Sequence, residues 1–283
     1  GKKQLDSAPS KQEVDSILEA TQAAFEQGDH RTVLRKWGTL QRAGDVPAQT
    51  LVQVVEAMQR LRKDRNFILA EVKGLVLKST AAQSVEYMND LLTPLTKSLD
   101  SGLICSLLTV FSKVGVLPDS RTYDILMHLH FATRSFEEVK DLAAQMREKG
   151  LQPTQRSTLV MLKTFLQEGC LSEALQCYSE IPDLPKHVGT QLVEIACRDR
   201  RLQDILPKLT NGQIPMTTDS LNLLLNESIR SGQPDVAKQA LELAEQQSVE
   251  KNSRTYSLLV RAETDPSEVR RLLNEVSAAG CHR

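Results

Sequence analysis

Residues 121–155 read RTYDILMHLHFATRSFEEVKDLAAQMREKGLQPTQ, and this stretch decides the fold. Ile125, Leu126 and Leu129 fall at helical spacing in its first half, and Val139, Leu142 and Met146 do so in its second. The spacing predicts two helices joined near Arg134. Gly150 and Pro153 end the second helix, because glycine suits a left-handed cap and proline cannot continue a helix. Tyr123, Phe136 and Met146, with Tyr256 further on, fall at positions expected to pack in the core.

The same outline recurs at a step of about 35 residues, with starts at Asp15, Thr50, Glu86, Arg121, Arg156, His187, Asp219 and Arg254. Gly44-Asp45-Val46-Pro47 and Gly115-Val116-Leu117-Pro118 close two further units in the same way, and Gly28, Gly169 and Gly232 mark turns within units. One hairpin cannot bury its own apolar face, so the units must stack. The expected fold is all-α, an α-solenoid of about eight helix-turn-helix repeats over residues 15–283, preceded by an N-terminal extension of residues 1–14.

Composition agrees: aromatic residues are only 4% of the 283, as suits helices packed through aliphatic side chains. The net charge of −1 and pI near 6.6 give no global field that would draw in nucleic acid. Charge does segregate locally. Arg62, Lys63 and Arg65 fall at one turn within a unit, Arg134 at another, Arg198, Arg200 and Arg201 at a third and Arg230 at a fourth, so a basic edge is expected unless these are only solvated turns.

Cys105, Cys170, Cys177, Cys197 and Cys281 are odd in number and lack Cys-x-x-Cys spacing, which predicts buried free thiols in a reducing compartment. His128 and His130 diverge by about 200° on a helix and cannot share a metal face. No metal or cofactor is expected. No apolar run reaches the roughly 18 residues that span a bilayer. Gly1 stands where an initiating methionine would, and the last unit stops soon after Gly280, so the natural chain is expected to extend past one end or the other.

The order Thr122-Tyr123, Glu137-Glu138, Met146, Gly150, Pro153 resembles the pentatricopeptide repeat, a 35-residue helical hairpin found mainly in organellar RNA-binding proteins. Thr255-Tyr256 with Gly280, and Gly169 with Glu173-Ala174-Leu175, agree with the same phase. The resemblance implies a right-handed superhelix. It also implies that a residue in the first turn of each first helix, with the residue 30 positions later, reads one base. Asn89 with Asp119 resembles the family's uridine combination, and Asn222 with Asn252 a pyrimidine-preferring one. Asp124 with Thr154, Leu18 with Ala48, and Gln53 with Gln83 match no defined combination, and altered unit length leaves the fifth and sixth pairs undefined. The bland alternative is that Asn89 and Asn222 are polar residues on an exposed first turn.

The family's aliphatic stacking residue at the head of each unit is replaced by Asp15, Thr50, Glu86, Arg121, Arg156, His187, Asp219 and Arg254. Arg121, Arg156 and Arg254 could stack on bases or pair with phosphate, whereas Asp15, Glu86 and Asp219 would repel it. Irregularity is expected where Pro94 breaks a first helix, where Pro182 shortens a second one and where Pro207 interrupts another.

No catalytic signature occurs: there is no Gly-rich phosphate loop, Gly-x-Ser-x-Gly elbow, His-Glu-x-x-His helix or deaminase zinc pattern. A non-enzyme without a small-molecule substrate is expected. Two functions remain open, namely a clamp on single-stranded organellar RNA and a scaffold bridging protein subunits of a large organellar complex. The organelle, mitochondrion or plastid, is implied by the resemblance alone.

Overall fold

The computed structural model describes residues 11–263 and 265–278. Its described residues form helices joined by turns, and they contain no strand. The chain divides into two compact units, residues 1–157 and 158–283.

In the first unit the helices come in pairs. α1 (Lys11–Glu26) precedes α2 (His30–Ala43), and α3 (Ala48–Arg60) precedes α4 (Arg65–Val76). α5 (Val85–Leu95) precedes α6 (Ser101–Ser112), and α7 (Ser120–Ala132) precedes α8 (Phe136–Glu148). α1 packs on α3, α3 on α5 and α5 on α7, so the first helices of successive hairpins stack in series. Leu40, Leu51, Met58, Leu75, Leu92 and Phe111 are buried in one continuous core. Each such side chain contributes about 1.5–3 kcal/mol on burial, and a lone hairpin would leave half of them wet.

α9 (Gln155–Glu168) carries the division between the units, and α10 (Leu171–Glu180) follows it. α11 (Lys186–Arg198) precedes α12 (Leu202–Thr210), α13 (Thr218–Ser231) precedes α14 (Pro234–Gln246), and α15 (Ser253–Ala262) precedes α16 (Pro266–Ala278). α11 packs on α13 and α13 on α15, around buried Leu192, Ile205, Leu221, Leu224 and Ala240. Unlike first helices therefore bury one another in both units.

Turn chemistry sets the hairpins. One residue within seven of the turns inside a pair has positive φ: Gly28, Arg62, Leu99, Arg134, Gly169, Arg200 and Gly232. The left-handed region disfavours a Cβ, so the three arginines hold a glycine conformation at a cost of about 1 kcal/mol each. Side-chain caps start the helices. Asp29, Asp64, Ser84, Asp100, Asp119, Thr217 and Asn252 each accept the amide of the residue three positions on, at 2.8–3.2 Å.

Several details depart from the sequence. α1 begins at Lys11, four residues ahead of the unit start expected at Asp15. Of the cysteines, Cys197 is buried, Cys170 and Cys177 are half-buried and Cys105 is exposed; none of the four forms a disulfide, and Cys281 lies outside the described residues. Apolar neighbours on α6 did not bury Cys105, because it points off the far side of that helix. Tyr123 and Met146 are buried, whereas Phe136 and Tyr256 are only half-buried. Pro94 lies inside α5, which ends one residue later at Leu95 and tightens into a 3-10 turn over Thr96–Ser98. α10 ends before Pro182, and α12 runs through Pro207 to Thr210.

Arg134→Gly should raise stability by about 1 kcal/mol, and Gly150→Ala, at a left-handed position between pairs, should lower it by about 1 kcal/mol. Urea unfolding of both variants checks the sign, and equal midpoints would show that the turns are unstrained.

Candidate nucleic-acid interface

In the first unit Asn89 lies on α5, 1% exposed, against the start of α7. Its Nδ2 donates to Oδ1 of Asp119 at 2.9 Å, and its Oδ1 accepts from Oγ1 of Thr122 at 2.7 Å. Asp119 is the cap of α7, and its Oδ1 also accepts the Thr122 amide at 2.8 Å. The backbone amide of Asp119 returns a bond to Thr122 Oγ1 at 3.2 Å, which completes a capping box. Burial raises the Asp119 carboxyl, but the bonds from Asn89 and Thr122 outweigh it and hold the group below its ordinary value of 3.8. Oδ2 of Asp119 has no hydrogen-bond partner among the described residues, so the cap keeps one acceptor to offer.

The next pair repeats the arrangement with different groups. Asp124 on α7 is buried, and the Thr154 hydroxyl lies 2.8 Å from each of its carboxylate oxygens. Thr154 and Ser157 exchange amide-to-hydroxyl bonds at 2.8 and 3.1 Å at the start of α9. Burial raises the Asp124 carboxyl, and Thr154, His128, Ser157 and Arg156 only partly offset it.

In the second unit Asn222 on α13 is 3% exposed and its Nδ2 donates to Oδ1 of Asn252 at 3.3 Å. Asn252 caps α15 in a capping box with Thr255. Here the threonine hydroxyl lies 3.0 Å from the cap oxygen, and Oδ1 of Asn222 is buried without a hydrogen-bond partner. Asn252 itself is exposed. A further pair lies between α11 and α13: Thr190 and the cap Thr217 have hydroxyls 2.9 Å apart, and Ser220 donates to Thr190 at 3.3 Å. The sequence left this pair undefined because the shortened unit puts its partners 27 positions apart instead of 30. Its signal was Ser220 preceded three positions earlier by a threonine that can cap.

The sequence-predicted pairs Asn89–Asp119, Asp124–Thr154 and Asn222–Asn252 are thus each joined by hydrogen bonds, whereas the Gln83 amide donates to the Val76 carbonyl at 2.8 Å and not to Gln53. The corrected point is exposure. Asn89 and Asn222 do not sit on an open first turn; they are buried where the following first helix starts over them, α7 on α5 and α15 on α13.

Arg121, Arg156 and Arg254 are exposed at the heads of α7, α9 and α15. Arg121 is paired with Asp90 at 2.9 Å, on half-exposed side chains. Half of the expected basic edge is neutralised, since Arg62, Lys63, Arg134 and Arg200 are exposed and make no ion pair among the described residues. Arg65 pairs with Asp100 at 3.0 Å, Arg198 with Asp199 at 2.8 Å, and Arg201 with Asp204 and Arg230 with Glu227 at 2.6 Å. Arg198, Arg201 and Arg230 also reach back to Gly169 O, Ser172 Oγ and Cys197 O on the preceding hairpin. Burial, then the Glu227 charge, pushes the Cys197 thiol up to about 12, so it is inert at neutral pH. Among the described residues no cluster of His, Cys, Asp or Glu could hold a metal, and no helix is long and apolar enough to cross a membrane.

No protein-family model and no curated protein matches the sequence. Among solved structures, the maize pentatricopeptide repeat protein PPR10 is 19% identical over 93% of this chain and 39% of its own, with a TM-score of 0.49. PPR10 in complex with an 18-nt psaJ RNA element is 13% identical over 94% of this chain and 49% of its own, with a TM-score of 0.34. The chain spans less than half the length of these solved chains.

Thr122→Val strands both Asn89 Oδ1 and the Asp119 amide and should cost about 1–3 kcal/mol in a urea melt. Asp124→Asn should act in the opposite direction. A raised folded-state pKa favours the protonated form, so the wild-type carboxylate is a liability above that value and neutral below it. The Asn variant should therefore be more stable at pH 7, with the gain shrinking as pH falls toward 3.8. A gain that is constant with pH would show that the carboxylate charge is not the cause.

Proposed function

We propose that this chain is a non-catalytic clamp on single-stranded RNA, resident in an organelle, that holds the RNA by phosphate contacts and discriminates poorly among bases. The supporting observation is the recurrence of a buried polar residue against the cap of the next first helix: Asn89 with Asp119, Asp124 with Thr154, and Asn222 with Asn252. These are the positions through which pentatricopeptide repeats, which the sequence resembles, read bases. Oδ2 of Asp119 offers an acceptor and the exposed Asn252 amide a donor, the two polarities that a base edge requires. Poor discrimination follows because the inner member of each pair is covered and already hydrogen-bonded. It also follows from the heads of the units, where Arg121, Arg156 and Arg254 replace the aliphatic residues that would sandwich a base.

One observation favours a protein scaffold instead. Arg65, Arg198, Arg201 and Arg230 of the turn edge are tied to Asp100, Asp199, Asp204 and Glu227, which removes about half of the positive field that a phosphate chain would meet there. The two functions differ in salt response. Fluorescent single-stranded RNA should be retained at low salt with a log-log slope of about −0.7 per phosphate contacted. Arg121→Glu with Arg156→Glu should weaken it at least about tenfold and flatten that slope. Absence of binding at low salt, or binding insensitive to salt, would favour the scaffold.

A further inference from the structure

Among the sixteen described α-helices, α6 alone carries no charged residue, although its outer face is open to solvent at Cys105, Thr109 and Ser112. Its partner across a groove of about 400 Å³ is α4, with which it packs. Leu69, Ala70 and Val110 form the floor of the groove. Lys73 and Lys113 stand on its two sides, and no carboxylate lines it. The apolar stripe of α4 runs on past the groove to Leu77, which is 56% exposed.

The hydroxyls of α6 make this face cheap to cover. Ser106 donates to Gly102 O at 2.7 Å, Thr109 to Cys105 O at 3.0 Å and Ser112 to Leu108 O at 3.0 Å. Each hydroxyl proton is spent on the helix's own backbone, so a covering surface need not replace water as its acceptor. The neighbouring second helices differ. α2 carries His30, Arg31, Arg35, Lys36 and Arg42, and α8 alternates Glu137, Glu138, Lys140, Asp141, Arg147 and Glu148.

We propose that the α4–α6 groove is a docking site for an acidic amphipathic helix of another protein. Charge complementarity selects this occupant: an apolar floor calls for a stripe of aliphatic side chains at helical spacing, and the flanking Lys73 and Lys113 call for carboxylates on either side of that stripe. The volume seats several side chains of one stripe and not a whole helix, as expected of a partner laid along the groove. A bilayer is a poorer match, since a planar surface cannot fill a concave floor. The proposal does not depend on RNA binding, because none of its residues belongs to the cap pairs.

The test uses the full chain and a labelled peptide of roughly 18 residues, with leucine at i, i+3, i+4 and i+7 flanked by glutamate, beside a twin with lysine in place of every glutamate. Anisotropy should show the acidic peptide binding at least about tenfold more tightly than its twin. Lys73→Glu with Lys113→Glu should reverse that preference. Ala70→Glu with Thr109→Glu, at two exposed positions, should abolish binding while the thermal melt and RNA retention stay unchanged. Equal binding of the twins, or binding that survives Ala70→Glu with Thr109→Glu, overturns the proposal. So does adsorption to vesicles rich in anionic lipid that these substitutions remove, since the face would then be a membrane contact.

Discussion

The hydrogen bond from the Asn89 amide to the Asp119 carboxylate joins two residues 30 positions apart and fixes how α7 sits on α5. A helix start leaves amides without partners, and a first helix leaves an apolar stripe without cover. The same contact answers both needs: the cap side chain closes the start of one helix while it receives the polar residue of the helix beneath. Thr122 donates its hydroxyl to Asn89 and its amide to Asp119, and is itself buried. A slip by one residue would break the cap and the amide bond together, so register is enforced more strictly than apolar packing alone could do. Thr154 against Asp124 and Asn252 against Asn222 apply the same device with other chemistry.

That economy limits what the pairs can do for a ligand. A side chain that holds the stack together is not free to rearrange around a base, and only the outer atoms of Asp119 and Asn252 remain available. Asn222 differs from Asn89 in one bond: its carbonyl lacks the threonine donor that Asn89 has, because Thr255 turns its hydroxyl to the cap. The charge pattern shows the same tendency toward internal use. Arg198 and Arg230 are spent on neighbouring carboxylates and on backbone carbonyls of the preceding hairpin, and such exposed pairs add at most about 1 kcal/mol each.

The second helices carry the variation. Their caps and turns recur, but α2 and α8 are rich in charge and α6 has none. In a stacked array the first helices are constrained on both sides by neighbours, whereas the second helices meet solvent and can diverge. An uncharged outer face whose hydroxyls are internally satisfied is a feature that stacking does not require, and covering it would cost little desolvation.

The sequence by itself determined the helical hairpin, its period and its turns, because apolar spacing, glycine, proline and capping residues act within a few positions of one another. The pairs Asn89–Asp119, Asp124–Thr154 and Asn222–Asn252 came from the family resemblance, as partners in reading a base; that their members hydrogen-bond to each other is a finding of the structure. The sequence failed for Thr190–Thr217, where the shortened unit changes the offset, and for Cys105, whose side of α6 is decided by what packs against that helix. The burial of Asn89 and Asn222 and the pairing of Arg65 with Asp100, 35 positions on, were decided by the tertiary structure, whereas Arg198–Asp199, Arg201–Asp204 and Arg230–Glu227 are local pairs within three positions. Burial and long-range pairing depend on atoms brought together by the next hairpin, and no local pattern carries that information.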